Sequence, residues 1–339
     1  MIACEAFSQG KLLARPEANE DAFLLAPGRG HVVIDGVSDR TGARLDGMAT
    51  GLFVAQAVRR AFLRLFAEDS GAPGAAGGWF GGAEDLVRRL SGAVEAAYAA
   101  AGAAEAVAAD PRLRGGCAFA AVLHVGDRLE FVGLGDCGVR VNGAETLLFP
   151  KDLDSITATL RREAWRRFEA RGLTPEACDA LARRMVQGGL AHQEAGSPTA
   201  DPAFLAEVEA ALRRQRGRLW PHVPEAEFAE LIAGGIAHGQ DRFLDEEGRV
   251  LGYGAMNGAP TPARFIEARS WALAEVETLE LFSDGYFALG EGFGVASWEA
   301  AARRVEAEDP HKLEAWLSTK GSTPDGPADD RTYLGLRLR

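Results

Sequence analysis

Apolar and polar positions alternate along the chain in patterns typical of short strands and amphipathic helices. Residues 21–26 and 31–35 are predicted as strands on either side of a Pro-Gly turn, and residues 45–67 place apolar side chains at helical spacing. An alanine-rich segment at 83–109 predicts a second helix, preceded by a Gly/Ala-rich connector at 70–82. The first hundred or so residues therefore predict a mixture of strands and helices.

Strand patterns dominate the middle of the chain and return near its end. Three short apolar runs, at 117–125, 128–134 and 138–141, are bounded by turn residues and predict a meander of antiparallel strands. Two further strands are predicted at 277–282 and 332–338.

A helical segment interrupts this β framework. Apolar spacing is helical from about residue 155 to residue 241, and Thr174 places a capping side chain before a proline at the first helical position. Two more helices are predicted at 297–307 and 311–317. Because predicted strands lie on both sides of the block, we predict one domain spanning 1–339 that carries a helical insertion at 155–241.

Composition and charge narrow the class of protein. The 339 residues are 47% hydrophobic and 25% charged, as in soluble globular proteins, and no apolar run approaches the roughly eighteen residues needed to cross a bilayer. With 37 basic and 49 acidic side chains the net charge is −12, which argues against a nucleic-acid-binding surface. The first residues show no basic segment before an apolar core, and the cysteines form no CxxC pair. We therefore expect a cytoplasmic protein with reduced thiols that binds neither nucleic acid nor membrane, and its oligomeric state stays open.

Aspartates stand at the ends of three apolar runs, beside glycine. They are Asp35, Asp136 and Asp284, and acidic pairs at Glu20-Asp21 and Asp329-Asp330 precede two further runs. Each Asp-Gly dipeptide alone is ordinary turn chemistry. Asp35 and Asp284, however, are not followed directly by a second alternating strand, as a simple hairpin would require.

Carboxylates at the ends of rigid strands are hard oxygen ligands suited to Mg²⁺ or Mn²⁺. Two such ions about 3.5–4 Å apart can ionise a shared water and neutralise the charge that develops on a phosphate. No nucleophilic side chain is then needed, which agrees with the absence of a Ser/His/Asp or Cys/His pattern from the sequence.

In their order along the chain these blocks resemble the signature blocks of the metal-dependent type 2C serine/threonine protein phosphatases. The blocks are Asn19-Glu20-Asp21-Ala22, Val33-Ile34-Asp35-Gly36, Gly133-Leu134-Gly135-Asp136, Leu281-Phe282-Ser283-Asp284-Gly285 and Asp329-Asp330-Arg331-Thr332. The resemblance runs from about Asn19 to the C-terminus and skips much of the helical segment. It implies an α+β fold: a central sandwich of two antiparallel β-sheets flanked by helices, with a metal site in a cleft at one end.

The same resemblance implies a role for each matching residue. Asp35 would bridge two Mn²⁺ or Mg²⁺ ions, and the carbonyl of Gly36 would bind one of them. Glu20 and Asp21 would belong to the shell of the first ion, by direct or water-mediated contact.

The remaining acidic residues would serve the other ions. Asp284 and Asp329 would hold the second ion, and Asp136 would help bind a third, more weakly held one. Asp35 and Asp284 are the residues that the resemblance marks as catalytic. Arg15 is the nearest match to the arginine that grips the substrate phosphate in this family.

Two features depart from the family pattern. Members commonly carry a histidine shortly after the first Asp-Gly, whereas residues 37–42 contain none, so the general acid is unidentified. The phosphate-binding arginine is expected at the position of Pro16, which displaces Arg15 by one residue, and Arg40 and Arg44 are alternatives.

The resemblance implies a metal-dependent phosphatase that hydrolyses phosphoserine and phosphothreonine monoesters of a protein substrate through a metal-bridging water. The alternative is a catalytically weak or inactive protein of the same fold that regulates a partner by binding it. A third interpretation is a chance match in an α/β protein with ordinary Asp-Gly turns. From its position, the segment 155–241 is expected to control access to the site or the choice of partner.

Overall fold

The structure, a computed structural model, describes residues 3–37, 41–68 and 80–339. Arg40 and most of the predicted connector at 70–82 lie outside these residues. The chain divides into two compact units. The first comprises Met1–Phe149, Gly254–Arg304 and Asp325–Arg339, and the second comprises Pro150–Tyr253 and Val305–Pro324.

The first unit is built on β-strands. They are β1 (Ala3–Gln9), β2 (Ala22–Ala26), β3 (Gly30–Gly36), β4 (Arg44–Leu45), β5 (Met48–Ala49), β6 (Cys117–Val125), β7 (Arg128–Leu134), β8 (Gly138–Val141), β9 (Glu145–Leu147), β10 (Ile266–Ala272), β11 (Thr278–Phe282) and β12 (Arg331–Arg337). Ten of them form two five-stranded sheets, with the orders β1-β12-β11-β8-β9 and β10-β7-β6-β3-β2. All pairings within the two sheets are antiparallel.

Helices accompany both units. They are α1 (Thr50–Glu68), α2 (Ala83–Ala100), α3 (Ala104–Ala109), α4 (Asp152–Ala170), α5 (Pro175–Gly188), α6 (Pro202–Leu219), α7 (Glu225–Arg242) and α8 (Val295–Glu308). In the described part of the chain, no helix combines the length and the apolar character that a membrane crossing requires.

The apolar side chains of the first unit form three layers. Val33 and Ala120 of one sheet pack with Leu281 and Leu334 of the other, so the two sheets share a buried core. On the outer face of the β3-containing sheet, buried residues of β3 and β6 pack against α1 and α2. On the outer face of the other sheet, Trp298 of α8 packs against β11 and β12. The predicted fold, a two-sheet antiparallel sandwich flanked by helices, is therefore confirmed.

The second unit is helical and has its own core. Buried apolar residues of α4, α5, α6 and α7 form one cluster, which includes Leu160, Met185, Leu212 and Leu231. The hydroxyl of Thr174 caps α5, and the carboxylate of Asp201 caps α6 in the same way. The predicted helical insertion at 155–241 lies within this unit, and its role stays a prediction.

Two predicted helices begin or end differently in the structure. The helix predicted from residue 45 begins at Thr50, because Asp46 adopts a left-handed conformation (φ 50°) in a tight turn that pairs β4 with β5. The helix predicted at 83–109 is broken after Ala100, where Gly102 has a φ of 67°. The segment predicted as a helix at 311–317 is not helical.

The predicted meander of three strands is wrong in its last step. β6 pairs with β7, but β8 pairs with β9 and β11 and therefore belongs to the other sheet. The turn between β7 and β8, which carries Asp136, thus passes from one sheet to the other. Strands β1, β9 and β10 were not predicted. None of their residues is buried, so burial of one face imposes no apolar period on them.

Candidate metal centre

Strand pairing brings distant acidic residues to one end of the β3-containing sheet. Strand β3 ends at Asp35-Gly36, and Ala22, directly after Asp21, pairs with Ile34. The first residue of β6 pairs with Gly36, and β7 ends opposite the beginning of β6. The residues before β2, at the end of β3 and after β7 therefore share one edge of the sandwich.

The second sheet delivers its acidic residues to the same edge. Phe282, at the end of β11, pairs with Tyr333 near the beginning of β12. The turn that carries Asp284 and the segment that carries Asp329 are therefore neighbours. Gln9, at the end of β1, pairs with Arg331, which places the start of the following loop at the same edge.

Three of the predicted ligands form a compact triad. Asp35, Asp136 and Asp284 each place one carboxylate oxygen within 4.8 Å of those of the other two. The three residues come from two sheets and from widely separated parts of the sequence. Such a spacing of carboxylate oxygens allows one divalent cation to contact all three.

Two glycines permit the close approach of the surrounding backbone. A Cβ at Gly36 would lie 2.7 Å from the carbonyl oxygen of Glu20. A Cβ at Gly285 would lie 1.9 Å from the carbonyl oxygen of Asp330. The glycine beside Asp35 and the glycine beside Asp284 are thus required for packing at the site, not for a hairpin turn.

Crowding perturbs the acidity of these carboxyl groups. Burial raises the pKa of Asp35 well above its usual value, and the charges of Asp21, Asp136 and Asp329 raise it further. Asp284 is exposed as a residue, but its carboxyl group lies among the others, and desolvation followed by the charge of Asp35 raises its pKa as well. Without a cation, the site is therefore forced to retain protons.

Asp21 is held in place by the hydroxyl group of Ser283, for which the sequence predicted no role. The Ser283 hydroxyl donates to Asp21 Oδ2 at 2.7 Å and accepts from the backbone N–H of Thr332 at 2.8 Å. Asp21 is 5% exposed, and its Oδ1 has no hydrogen-bond partner among the described residues. Burial raises the pKa of Asp21 well above its usual value, and the charge of Asp330 adds to the effect.

Glu20 and Asp329 both form an ion pair with a lysine. Lys11, in the loop after β1, places its Nζ 3.0 Å from Glu20 Oε2 and 3.1 Å from Asp329 Oδ1. Although burial alone would lower it, the three carboxylates around Lys11 raise the pKa of its ammonium group above its usual value. Sequence reasoning missed this residue, because a single lysine in a loop carries no distinguishing pattern.

Asp330 is a structural partner that was also missed. Its Oδ1 accepts from the backbone N–H of Lys11 at 2.6 Å, and its Oδ2 accepts from the backbone N–H of Glu20 at 3.1 Å. Asp330 is 3% exposed. It therefore connects the loop after β1 with the segment before β2, and its place beside Asp329 in the sequence was the only signal of a role.

The predicted phosphate-binding arginine, Arg15, is an exposed residue. Arg15 precedes a short 3₁₀ turn, its side chain is exposed, and it forms no ion pair or side-chain hydrogen bond with a described residue. Arg44, the second alternative, is exposed in β4. Phosphate binding by Arg15 stays a prediction.

The two histidines of the first unit, His31 and His124, contact each other. His31 and His124 face each other with their Nε2 atoms 3.1 Å apart, and His31 begins β3 at the end opposite Asp35. Burial lowers the pKa of His31 to about 3, and the charge of His124 contributes. His31 is buried and His124 half-buried, and this pair does not provide the general acid that the sequence left unidentified.

A buried ion pair supports the strand that leads to Asp284. Arg140 Nη2 lies 2.8 Å from Glu280 Oε1, which also accepts from Trp298 Nε1 and the Tyr333 hydroxyl at 2.8 Å each. Arg140 further donates to the carbonyls of Gly290 and Gly292, in the loop that follows Asp284. The network joins β8, β11 and β12 with this loop, and it therefore stabilises the strand and the loop on either side of Asp284.

The donor set fits a divalent metal ion. Carboxylate oxygens converge, several carboxyl pKa values are raised by the crowding, and Asp21 Oδ1 is buried without a partner. A hard divalent cation would offset the repulsion among these groups and give the orphaned oxygen a partner. The residues present therefore suit Mg²⁺ or Mn²⁺ better than a soft metal.

Comparison with known proteins gives the following. No protein-family model and no curated protein sequence matches the chain. Among solved structures, the serine/threonine phosphatase PstP/Ppp of Mycobacterium tuberculosis is 17% identical with a TM-score of 0.42, covering 100% of this chain and 99% of its own. The serine/threonine phosphatase Stp1 of Staphylococcus aureus is 12% identical with a TM-score of 0.44, covering 100% and 96%.

A structure of the PstP catalytic domain was determined in complex with two manganese ions. It is 16% identical to this chain with a TM-score of 0.43, and covers 99% of this chain and 97% of its own. These neighbours are serine/threonine phosphatases, the class that the sequence blocks resemble.

Proposed function

We propose that the protein is a Mn²⁺- or Mg²⁺-dependent phosphatase that hydrolyses phosphoserine and phosphothreonine monoesters. The observation that carries this proposal is the convergence of Asp35, Asp136 and Asp284 from two sheets. Ordinary Asp-Gly turns, the third interpretation of the sequence, give no reason for carboxylates to gather at a cost in electrostatic repulsion. We accordingly disfavour a chance match.

The chain's own residues would hold the ions and the substrate. One ion would be bound by the triad of Asp35, Asp136 and Asp284. A second ion would be bound by Asp35 and Asp329, with Asp21 close by. When bound, the ions supply an activated water and neutralise charge on the phosphoryl group. The Ser283 hydroxyl would keep the Asp21 carboxylate in place throughout.

The order of importance differs from the one implied by the resemblance. In the resemblance, Asp136 serves only a third, weakly held ion, whereas in the structure it is a member of the triad. Asp329, which the resemblance assigns to the second ion, forms an ion pair with Lys11. We therefore propose that Asp136 contributes to the first ion bound.

The experiment measures hydrolysis of p-nitrophenyl phosphate by the purified protein. Added Mn²⁺ should give turnover, EDTA should abolish it, and Asp35→Asn or Asp284→Asn should reduce it by at least about a hundredfold. Asp127→Asn is the matched control, since Asp127 is an exposed aspartate in the turn between β6 and β7. No turnover by the wild-type protein with Mn²⁺ would contradict the proposal.

The second candidate function is a catalytically weak or inactive regulator that binds a partner. It is favoured by the lysine that pairs with Glu20 and Asp329, because an ammonium group already occupies two of the expected metal ligands. Mn²⁺ binding by calorimetry, without turnover of any phosphoester, would select this function.

We also propose that the substrate is a phosphorylated protein in the cytoplasm and that the helical unit controls its access. Arg214 and Arg218 are exposed on α6 of that unit. Reversing both charges to glutamate should change turnover on a phosphoprotein while leaving turnover on p-nitrophenyl phosphate unchanged. Equal effects on both substrates would contradict a role in protein selection.

A further inference from the structure

Lys11 is a cation that lies among the acidic residues at the shared edge of the two sheets. These residues, here called the acidic cluster, are Glu20, Asp21, Asp35, Asp136, Asp284, Asp329 and Asp330. The Nζ of Lys11 lies 3.0 Å from Glu20 Oε2, 3.1 Å from Asp329 Oδ1 and 3.3 Å from Asp330 Oδ2. In the described part of the chain, three carboxylates surround this one ammonium group, which is more than charge balance requires. The arrangement is the one that a small cation would occupy.

Both the backbone and the side chain of Lys11 are held by Asp330. Its backbone N–H donates to Asp330 Oδ1 at 2.6 Å, and its ammonium group reaches the other oxygen of the same carboxylate. The side chain of Lys11 is 21% exposed, and those of Glu20 and Asp330 are 7% and 4% exposed. Partial burial of this kind makes the ion pairs stronger than ordinary surface pairs.

Asp329 connects this lysine with the aspartate triad. One of its oxygens pairs with Lys11, and the pairing of Phe282 with Tyr333 places its segment beside the turn that carries Asp284. A divalent ion placed between the triad and Asp329 would therefore compete with the ammonium group for the same carboxylate. Like charges this close repel strongly, so the two cations cannot share Asp329 without a loss of affinity.

We propose that the ammonium group of Lys11 is an internal competitor of the second divalent ion, so that the cluster binds one ion tightly at the triad and a second only weakly. The proposal rests on the metal-dependent function proposed above. The triad holds the first ion, and the second has to displace Lys11 from Asp329. Occupancy of the second site, and with it activity, then depends on the concentration of free Mn²⁺ or Mg²⁺.

The experiment is a titration of the metal-stripped, full-length protein with Mn²⁺, by isothermal calorimetry and by equilibrium dialysis. The variants are Lys11→Met, which removes the charge, and Lys11→Arg, which keeps it. Lys151→Met is the matched control, because Lys151 is 22% exposed and pairs with Asp154 of the helical unit at 3.2 Å. Mn²⁺ bound per chain and the Kd of each ion are read without reference to activity.

The wild-type protein should bind one Mn²⁺ tightly and a second at least about tenfold more weakly. Lys11→Met should tighten the second ion by about tenfold or more and change the first much less, whereas Lys11→Arg and Lys151→Met should resemble the wild type. If Lys11→Met does not fold without metal, Lys11→Gln, which keeps a hydrogen-bond donor for Glu20, replaces it.

Two ions of equal affinity in the wild-type protein would overturn the inference, with or without a folded variant. An unchanged second Kd in the uncharged variants would overturn it as well, while the proposed function would stand. If no protein in the set binds Mn²⁺, the metal-dependent function fails, and the inference fails with it.

Discussion

Replacing Asp35 by asparagine should stabilise the metal-free protein while destroying the response to metal. The substitution keeps the shape of the side chain and removes one charge from the triad. Carboxylate oxygens within 4.8 Å of one another repel by about 3.5 kcal/mol per ionised pair at an effective dielectric constant of about 20. Because protonation already relieves part of this repulsion, we expect a gain of about 1–3 kcal/mol in the free energy of unfolding.

The sign of the pH dependence follows from the raised carboxyl pKa values. A carboxyl group whose pKa is higher in the folded state favours folding while it is protonated, and this contribution is lost as pH rises through the folded-state pKa. Asp21, Asp35 and Asp284 all have raised pKa values, so the metal-free wild-type protein should lose stability from weakly acidic to alkaline pH. The advantage of Asp35→Asn over the wild type should therefore be larger at pH 8 than at pH 5.

The assay is urea denaturation followed by far-UV circular dichroism, in EDTA and again in saturating Mn²⁺. Mn²⁺ should raise the free energy of unfolding of the wild-type protein by mass action and that of Asp35→Asn much less. Asp127→Asn provides the control for loss of an aspartate outside the site. An Asp35→Asn protein that is less stable than the wild type in EDTA at pH 8, or that gains as much from Mn²⁺, would refute the electrostatic account of the triad.

Three further outcomes are expected. Arg140→Leu should lower the free energy of unfolding by about 3–5 kcal/mol in urea denaturation, because it leaves the buried Glu280 carboxylate without its ion partner; a loss under 1 kcal/mol would contradict this. The His31 pKa is lowered to about 3, below its usual value near 6.5, so the folded state rejects a proton that the unfolded state binds. The contribution of His31 to stability should fall as pH drops below 6.5, by about 2 kcal/mol at pH 5, in opposition to the carboxyl groups of the metal site. His31→Gln should lack this contribution in urea titrations paired with the wild type. Gly36→Ala should abolish Mn²⁺ binding in calorimetry, because the added methyl group would lie 2.7 Å from the carbonyl oxygen of Glu20; a variant that binds normally would show that this approach is not needed.

Local pattern was sufficient for most of the framework. The strands around Asp35, the runs at 117–125 and 128–134, and the capped helices of the insertion all appear where apolar spacing predicted them. These elements are readable because burial of one face imposes a period of 2 or 3.6 on nearby residues. Exposed edge strands such as β1 impose no such period, and they were missed.

The acidic positions were also predicted from sequence, but the place of Asp136 among them was not. Asp35 and Asp284 were expected to share an ion and Asp136 to help bind a third, whereas the structure brings all three carboxylates into one triad. The difference arises at the turn after β7, which was predicted as a hairpin within one sheet and instead crosses to the other. That crossing delivers Asp136 to the shared edge.

The sequence by itself determined which segments fold locally and which carboxylates stand at strand ends, because hydrophobic period and turn chemistry act over a few residues. Only the tertiary structure decided which of these carboxylates meet, and that Lys11 and Asp330 join Glu20 and Asp329. Those contacts depend on antiparallel register between strands that are far apart in the chain. Register is a property of the assembled sheets, and no short stretch of sequence contains it.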